Sequence, residues 1–330
     1  MRSLQILAIA TTIELCMATA VLALAAAGGA LNPWLDLINC FAPLFVLLGV
    51  AGALAAVLAL PRDRRRLRLA CLCAAAWTTV YGLLMTAPEL AGRLTPEPST
   101  ARGRPYRLVT ANVFSENNSP FSAARTLVQR GADALIVEEA DGTIQRVRGV
   151  LAARYPFVTT CGQGVDIWLK TPILAQGCRL PAPPGSYHAW GEGFAWARTL
   201  GPDGKPITIV AVHFGRPYPP GRQRVEQNAL PITLASLTGD RTILAGDFNM
   251  TPWSFAMHRL DASLRPLGRR TRWQATYPAR LNVTQAEWGV PLLPIDHIYA
   301  GSAWSPFAIK RFRVPSSDHF ALDAQTVLRP

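Results

Sequence analysis

Cysteine and histidine are scarce in this sequence: its 330 residues include only six cysteines and five histidines. No group of them has the spacing of zinc ligands, which argues against a structural zinc site. The chain also has no internal repeat, and this excludes an array of repeated modules. Beyond residue 95 the only cysteines are Cys161 and Cys178. They flank a segment with the pattern strand, turn, strand, so they either form a disulfide in an oxidising compartment or remain two buried thiols.

Charged side chains are sparse before residue 95, where apolar residues dominate. A stretch of about 20 apolar residues is long enough to cross a bilayer. Three stretches qualify, at residues 5–30, 38–60 and 69–87. Long apolar segments joined by short loops are typical of a membrane bundle rather than of buried core helices. We therefore predict three transmembrane helices within residues 1–94, which meet the lipid bilayer through residues 5–87.

The loops between these segments predict an orientation. Basic residues cluster between the second and third segments, at Arg62, Arg64, Arg65, Arg66 and Arg68, whereas residues 31–37 contain none. Short basic loops remain in the cytoplasm. The sequence thus predicts a multi-pass protein of the inner (plasma) membrane whose remaining chain is periplasmic or extracellular. A cleaved signal peptide within residues 1–30 is the alternative, but its apolar stretch is longer than the usual one of about 7–15 residues.

A proline-rich segment, residues 95–105, predicts an extended spacer before a domain at residues 106–330. The net charge of the whole chain is +12, and residues 103–330 contain 25 Lys and Arg against 16 Asp and Glu. This balance suits an anionic partner such as a phosphate ester, a nucleic acid or a lipid headgroup. An arginine-rich soluble surface explains it equally well. Nothing in the sequence indicates a protein partner.

Short β-rich runs alternate with helical stretches from Tyr106 onward. The predicted strands are Tyr106–Val113, Ala134–Val137, Val165–Leu169, Phe194–Leu200, Ile207–His213, Thr242–Ala245, Ile295–Ala300 and Ala308–Val314. The predicted helices are Pro120–Arg130, Thr143–Arg154, Gly221–Leu237 and Ser254–Leu264. Pro231 is expected to kink or end the third of them. Many strands with few helices predict packed sheets covered by helices, an α+β domain.

Polar side chains recur at the ends of these predicted strands. They are Asn112, Glu138, Glu139, His213, Asp247, Asn249, Asp296, His297, Asp318 and His319. Each one alone is explained by a polar turn or by a buried, hydrogen-bonded histidine. Together they predict an active site at one edge of a sheet. Carboxylate and amide oxygens are the ligands that suit Mg²⁺ or Mn²⁺.

Six motifs carry a resemblance to a known family. They are Thr110–Val113, Ala132–Glu139, Val212–Phe214, Gly246–Trp253, Ile295–Ile298 and Ser317–Phe320. In this order they resemble the endonuclease/exonuclease/phosphatase superfamily, and the resemblance covers roughly residues 105–328. It implies a four-layer α/β sandwich of two packed β-sheets with flanking helices.

The resemblance also implies a role for each polar residue. Glu139 is the principal metal ligand, with Asn112 and Asp318 beside the metal. His319 handles the nucleophilic water, and Asp296 holds and polarises His319. Asp247 orients the water, Asn249 donates to the phosphoryl oxygens, and His213 stabilises the phosphate or assists the leaving group.

Two features of the sequence complicate this assignment. Glu138 occupies the place where the family usually has Gln, and it is expected to add a charge near the metal. A basic run with two aromatic residues suits either a polyanion or a solvated loop, and it consists of Arg265, Arg269, Arg270, Arg272, Trp273 and Tyr277.

Three functions remain open from the sequence. The favoured one is a metal-dependent hydrolase of phosphodiester or phosphomonoester bonds, anchored in the membrane with its catalytic domain outside the cytoplasm. The second is an extracytoplasmic nuclease. The third is a catalytically inactive membrane binding protein, which is disfavoured because Glu139, Asp247 and His319 are all retained.

Overall fold

The computed structural model describes residues 2–94, 103–160, 164–178, 193–237, 239–280, 286–305 and 307–329. These residues fall into two compact units. The first contains residues 1–95 and a short later segment, Thr251–His258; the second contains residues 96–250 and 259–330. Most of the predicted spacer, residues 95–102, lies outside the described residues, as does Cys161.

The first unit is built on three long helices. They are α1 (Arg2–Ala27), α3 (Ala42–Ala59) and α4 (Arg65–Leu94), and the short α2 (Pro33–Asp36) follows α1. Three helical segments, Ser3–Ala30, Pro33–Ala59 and Arg65–Leu94, are long and apolar enough to cross a membrane by length and composition. Glycine permits close packing of α3 and α4, since a Cβ at Gly82 would lie 2.8 Å from the backbone nitrogen of Val46.

The second unit contains two six-stranded sheets. The first has the order β11-β12-β1-β2-β4-β3, with β1 (Arg104–Asn112), β2 (Ala134–Glu138), β3 (Phe157–Thr160), β4 (Val165–Leu169), β11 (Ala308–Arg313) and β12 (Phe320–Leu328). The second has the order β5-β6-β7-β8-β10-β9, with β5 (Ile173–Gly177), β6 (Phe194–Leu200), β7 (Pro206–His213), β8 (Thr242–Asp247), β9 (Gly268–Arg269) and β10 (Asp296–Ala300).

Each sheet contains one parallel pair among antiparallel neighbours. β1 is parallel to β2, and β7 is parallel to β8. Alternate side chains of both sheets meet in one apolar core, which includes Leu108, Ile136, Ile209, Ile243 and Leu322. The two packed sheets with flanking helices confirm the fold predicted from the motifs.

Four further helices occur among the described residues after β1. They are α5 (Pro120–Gln129), α6 (Arg148–Ala152), α7 (Pro220–Leu234) and α8 (Phe255–Ser263). Ala123, Leu127 and Leu151 pack against the outward-facing Val109 and Leu135 of the first sheet. α7 forms the crossover between the parallel strands β7 and β8, a connection that such pairs require.

Several sequence predictions of local structure were wrong. The single helix Thr143–Arg154 is a 3₁₀ turn at Gly142–Val147 followed by the short α6. α7 continues past Pro231 and ends at Leu234 rather than at Leu237. β3, β9 and β12 were not predicted. The predicted strand, turn, strand segment between Cys161 and Cys178 is not a hairpin, since β4 pairs with β2 and β3 in one sheet and β5 pairs with β6 in the other. In β12, Leu322, Ala324 and Leu328 face the core, and Asp323 on the opposite face is also buried, where an ion pair with Arg107 compensates its charge.

Candidate active site

The predicted site residues come together because of the strand registers. Asn112 at the end of β1 lies opposite Glu138 at the end of β2, since these strands are parallel. His213 at the end of β7 lies opposite Asp247 at the end of β8 for the same reason. The antiparallel β10 begins at Asp296, which pairs with Asp247. The ends of both parallel pairs therefore carry polar residues at one end of the packed sheets.

The carboxylate of Asp247 is the centre of the site. Its Oδ2 accepts a hydrogen bond from Nδ2 of Asn112 at 3.2 Å and lies 3.7 Å from Nε2 of His319 and 3.9 Å from Nε2 of His213. Only 1% of the residue is exposed. Burial raises the pKa of Asp247 to about 7, with a further increase from the charge of Asp296 and an opposing effect of His319.

His319 is held between two carboxylates. Its Nδ1 lies 3.0 Å from Oδ2 of Asp296, and its Nε2 faces Asp247. Burial alone would lower the pKa of His319, but the charges of Asp296 and Asp247 raise it well above its usual range. The ring of Tyr277 packs against the imidazole with centroids 5.0 Å apart. Asp296 thus determines which imidazole nitrogen faces Asp247.

Glu139 is joined to Asp247 through Asn112, whose Nδ2 donates to both carboxylates. The backbone of Glu139 is strained, with φ of +53°. Its Oε2 accepts the backbone N–H of Ser115 at 2.8 Å, and its Oε1 accepts Nδ2 of Asn112 at 3.1 Å. Nε2 of His213 is 3.9 Å from Oε1. Burial alone would raise the pKa of Glu139, but the hydrogen bonds from the Ser115 amide and from Asn112 lower it below its usual value. The carboxylate therefore stays ionised.

Asn249 and His213 also lie close to the carboxylate of Asp247. The backbone N–H of Asn249 donates to Oδ1 of Asp247 at 2.8 Å, and its Nδ2 donates to the carbonyl of Phe214 at 2.8 Å and to Oδ2 of Asp247 at 3.3 Å. These bonds hold the turn, and the donation of this amide to phosphoryl oxygens stays a prediction. Burial lowers the pKa of His213, which favours the neutral imidazole.

Comparison with known proteins identifies the family. The model of the Endonuclease/Exonuclease/phosphatase family matches residues 109–319. The chain belongs to this family. Its members hydrolyse phosphodiester bonds or other phosphate esters. A comparison with curated proteins found no match.

Solved structures of similar fold are distant in sequence. D. rerio TDP2 in complex with single strand DNA product has 13% identity and a TM-score of 0.53, and the match covers 67% of this chain and 98% of that chain. An endonuclease/exonuclease/phosphatase from Beutenbergia cavernae has 16% identity and a TM-score of 0.51, over 68% of this chain and 72% of that chain. Beta toxin from Staphylococcus aureus has 15% identity and a TM-score of 0.50, over 66% and 99%. These likenesses support the fold alone.

Members of the endonuclease/exonuclease/phosphatase family generally use a divalent metal, and two residue groups here suit one. Asp318 has a buried Oδ1 without a hydrogen-bond partner among the described residues, and its pKa is raised by burial and by the charge of Glu139. A buried carboxylate oxygen that has no partner among the described residues fits a cation. Asp247, Asp296 and His319 form a second group, with ligand atoms within 4.8 Å of one another.

The surroundings of Glu138 bear on the expectation that it adds a charge near the metal. The residue is fully buried, accepts a hydrogen bond from the hydroxyl of Thr110, and has one oxygen, Oε2, without a partner among the described residues. Burial raises its pKa well above its usual value, with a further increase from Asp296. These effects favour the neutral acid, the form closest to the Gln that usually occupies this place in the family.

Two arginines of the basic run at Arg265–Arg272 make structural contacts, whereas Arg265 is exposed. Arg269 is 7% exposed and pairs with Asp261 through Nη2 at 3.0 Å. Arg270 donates to the carbonyls of Ala300 and Gly301 at 3.5 and 3.4 Å. Neither guanidinium behaves as part of a solvated loop.

Sequence reasoning missed the Ser115 amide, and it assigned Tyr277 to the basic run rather than to His319. The backbone N–H of Ser115 and the ring of Tyr277 both contact functional residues, as described above. A backbone donor has no residue-type signature, and Tyr277 lies in an irregular segment between β9 and β10.

Proposed function

We propose that this chain is a membrane-anchored, metal-dependent hydrolase of phosphodiester or phosphomonoester bonds, with its catalytic domain outside the cytoplasm. The observation that carries the proposal is the convergence on Oδ2 of Asp247, where Asn112, His213 and His319 all lie within 3.9 Å. Preorganised donors around a buried carboxylate suit a reaction in which water attacks an anionic ester.

Glu139 and Asp318, with Asn112 beside them, would hold Mg²⁺ or Mn²⁺ in this proposal. A bound divalent cation would neutralise phosphoryl oxygens and favour formation of the attacking hydroxide. Glu139 suits this role because it is ionised and because its side chain keeps 20% of its surface accessible. Asn112 orients it through the hydrogen bond to Oε1.

The remaining residues handle the proton and the phosphate. Asp296 fixes Nδ1 of His319, so Nε2 is the nitrogen available for reaction. When it is unprotonated, Nε2 accepts the proton of the attacking water; when it is protonated, it donates to a phosphoryl oxygen. Asp247 orients the water, and the neutral His213 donates to the phosphate or to the leaving group.

Membrane anchoring is supported by the three apolar helical segments, and the sidedness by the arginines that precede and begin α4. A short loop that contains Arg62, Arg64, Arg65, Arg66 and Arg68 is expected to stay in the cytoplasm. Of the described helices, only α4 lies between this loop and the catalytic chain, so the catalytic chain is expected on the opposite side of the membrane from the loop.

The proposed function is tested with the full chain purified in detergent and stripped of metal. Hydrolysis is measured after addition of Mg²⁺, Mn²⁺ or Ca²⁺ on bis-p-nitrophenyl phosphate, p-nitrophenyl phosphate, plasmid DNA, RNA, and vesicles with sphingomyelin or phosphatidylinositol phosphates. We expect metal-dependent hydrolysis of at least one of these esters, which His319→Ala abolishes. Equal rates for the wild type and this variant on every substrate would contradict the proposal.

The same assay separates the two other functions. The likeness to D. rerio TDP2 in complex with single strand DNA product makes a nuclease the second candidate. Cleavage of DNA or RNA in preference to the lipid and aryl esters, with a steep loss of affinity as salt rises, would favour it. Binding of an ester without turnover under all metal conditions would favour the inactive binding protein.

A further inference from the structure

A buried carboxylate in the first unit holds the start of a helix that follows the catalytic turn. Asp36, at the end of α2, is 5% exposed. Its Oδ1 accepts the backbone N–H of Phe255 at 2.9 Å, and its Oδ2 accepts that of Ala256 at 2.8 Å. These are the first two residues of α8. The first amides of a helix have no partner within the helix, and a carboxylate is the acceptor that the helix dipole favours there.

Asp36 is itself fixed by a polar network within the first unit. Nδ2 of Asn39 donates to Oδ1 of Asp36 and to the carbonyl of Ala26, at 3.0 Å each. The hydroxyl of Tyr81, on α4, donates to Oδ1 of Asn39 at 2.7 Å. Asn39 is completely buried. A buried polar network with these bonds defines one position for the carboxylate of Asp36.

A second bond holds the same stretch of chain. The indole N–H of Trp253 donates to the carbonyl of Cys40 at 3.2 Å, and Trp253 is 1% exposed. Trp253 and Phe255 both belong to the segment Thr251–His258, whose contacts place it in the first unit. Residues 36–40 thus bind this segment at two separate points.

The bound segment continues directly from the catalytic turn. Asp247 and Asn249 precede it by a few residues, and Asn249 has a φ of +50° that requires support from its surroundings. On the amino-terminal side, Nε2 of His297 lies 2.9 Å from the carbonyl of Met250 and Nε2 of Gln223 donates to the carbonyl of Asn249 at 3.0 Å. The amides held by Asp36 are the corresponding fixed points on the carboxyl-terminal side.

We propose that Asp36 is a positioning residue of the hydrolase: by binding the first amides of α8 it fixes the turn that carries Asp247 and Asn249. This inference rests on the proposed function. It also gives residues 36–40, within the region expected to anchor the chain, a part in catalysis. A displacement of about 1 Å in a reacting group costs up to about 100-fold in rate, so loss of such a fixed point is expected to be measurable.

The test uses the full chain in detergent with bis-p-nitrophenyl phosphate as substrate and saturating Mg²⁺. Asp36→Ala is expected to lower kcat by about 10- to 100-fold, while KM and the apparent Mg²⁺ constant change by less than about threefold. Asp36→Asn keeps one oxygen acceptor and is expected to fall between Asp36→Ala and the wild type. The matched control is Asp63→Ala, which alters an exposed aspartate of the same unit and is expected to keep full activity.

Hydrogen exchange of the same variants gives a readout that does not require turnover. Asp36→Ala and Asp36→Asn are expected to speed exchange of the peptide that spans residues 247–258 and to leave peptides of β1 and β7 unchanged. Trp253→Phe removes the bond to Cys40 and is expected to speed exchange of the same peptide to a smaller extent. If Asp36→Ala unfolds the chain, Asp36→Asn with an unchanged thermal midpoint decides the question.

Failure of this inference is distinguishable from failure of the proposed function. If the wild type hydrolyses the substrate and both Asp36 variants match Asp63→Ala in kcat, positioning by Asp36 is overturned and the hydrolase proposal stands. If the wild type hydrolyses none of the esters, the exchange of residues 247–258 still decides whether Asp36 fixes the turn. Unchanged exchange of residues 247–258 in the Asp36 variants would overturn the positioning role of Asp36.

Discussion

Nδ1 of His319 lies 3.0 Å from Oδ2 of Asp296, and both side chains are buried. Asp296 is placed by its register opposite Asp247, and His319 immediately precedes β12. The two residues therefore meet only because strands of different sheets begin at the same end of the core. The pair leaves Nε2 of His319 directed at Asp247, 3.7 Å away.

Removal of this imidazole is expected to abolish the chemical step. His319→Ala should lower kcat by at least about 10²-fold, and up to about 10⁴-fold, because general acid–base participation is of that order. No concentration of Mg²⁺ or Mn²⁺ should restore it. Asp296→Asn should give an intermediate rate, and the double variant should be little worse than His319→Ala because the pair acts as a unit. Steady-state kinetics on the best substrate provide the measurement.

The control for this series is the exposed histidine His258, whose replacement by Ala should leave kcat unchanged. Near-normal turnover by His319→Ala would remove the proposed role. Additive losses in the double variant would separate Asp296 from His319 and would show that they act independently.

Glu139 and its neighbour Glu138 provide a matched pair of carboxylates. Glu139→Gln keeps the shape but removes an anionic ligand, so we expect a large loss of activity, a weaker apparent metal affinity, and partial recovery at high Mg²⁺ or Mn²⁺. Glu138→Gln replaces a side chain that burial already favours as the neutral acid, so its activity should stay within about threefold of the wild type. Activity as a function of metal concentration, supported by calorimetry of metal binding, distinguishes the two. Equal damage from both changes would contradict the assignment of Glu139 as the metal ligand.

Much of the fold was predictable because β-rich runs such as β4 and β6 are visible in the sequence, and both strands have the predicted bounds. β12 was missed although its core residues Leu322, Ala324 and Leu328 follow the alternation of a strand. Asp323, on the opposite face, is buried as well. Only the tertiary structure supplies the ion pair of Arg107 with Asp323 that permits this burial. Local sequence carries no signal for a partner so distant along the chain.

The candidate site was also predictable only in part from the sequence. The motifs identified which residue types gather there, since polar residues at strand ends are visible in the sequence. They did not predict the neutral state favoured for Glu138, which depends on complete burial, or the Ser115 amide, which is a backbone group. The bonds from Phe255 and Ala256 to Asp36 join positions about 220 residues apart, and no spacing rule indicates them.

The buried Asp166 is expected to make the protein less stable as the pH rises. Burial raises its pKa to about 6, although the charge of Arg148, 2.9 Å away, lowers it in part. An acid with a raised pKa in the folded state contributes stability below its unfolded pKa and loses that contribution as pH rises through about 6. Ionisation of this carboxylate thus lowers the free energy of unfolding by at most about 3 kcal/mol at neutral pH. Asp166→Asn should raise the thermal midpoint at pH 7.5, with a difference that shrinks towards pH 4.

Asp203 provides a control of opposite sign. Hydrogen bonds from Arg241 lower the pKa of Asp203 to about 2. The contribution of Asp203 to stability is therefore fully present above its unfolded pKa and is lost as the pH falls from there through about 2. Asp203→Asn should therefore lower the thermal midpoint at pH 7.5. Thermal unfolding followed by tryptophan fluorescence between pH 4 and 8 tests both variants, and a lower midpoint for Asp166→Asn at pH 7.5 would show that the ion pair with Arg148 outweighs the cost of burial.

The orientation in the membrane is tested with reporter fusions. A reporter that is active only outside the cytoplasm should work when it is fused after residue 100, because the arginines at Arg62–Arg68 should hold their loop inside. The same reporter fused after Asp63, within that loop, should be inactive, and a reporter that folds only in the cytoplasm should give the opposite pattern at both points. Replacement of the five loop arginines by Gln should weaken this preference, since the basic residues rather than the apolar spans set the direction. Activity of the cytoplasmic reporter after residue 100 in the unaltered chain would reverse the orientation and place the hydrolase domain inside the cell.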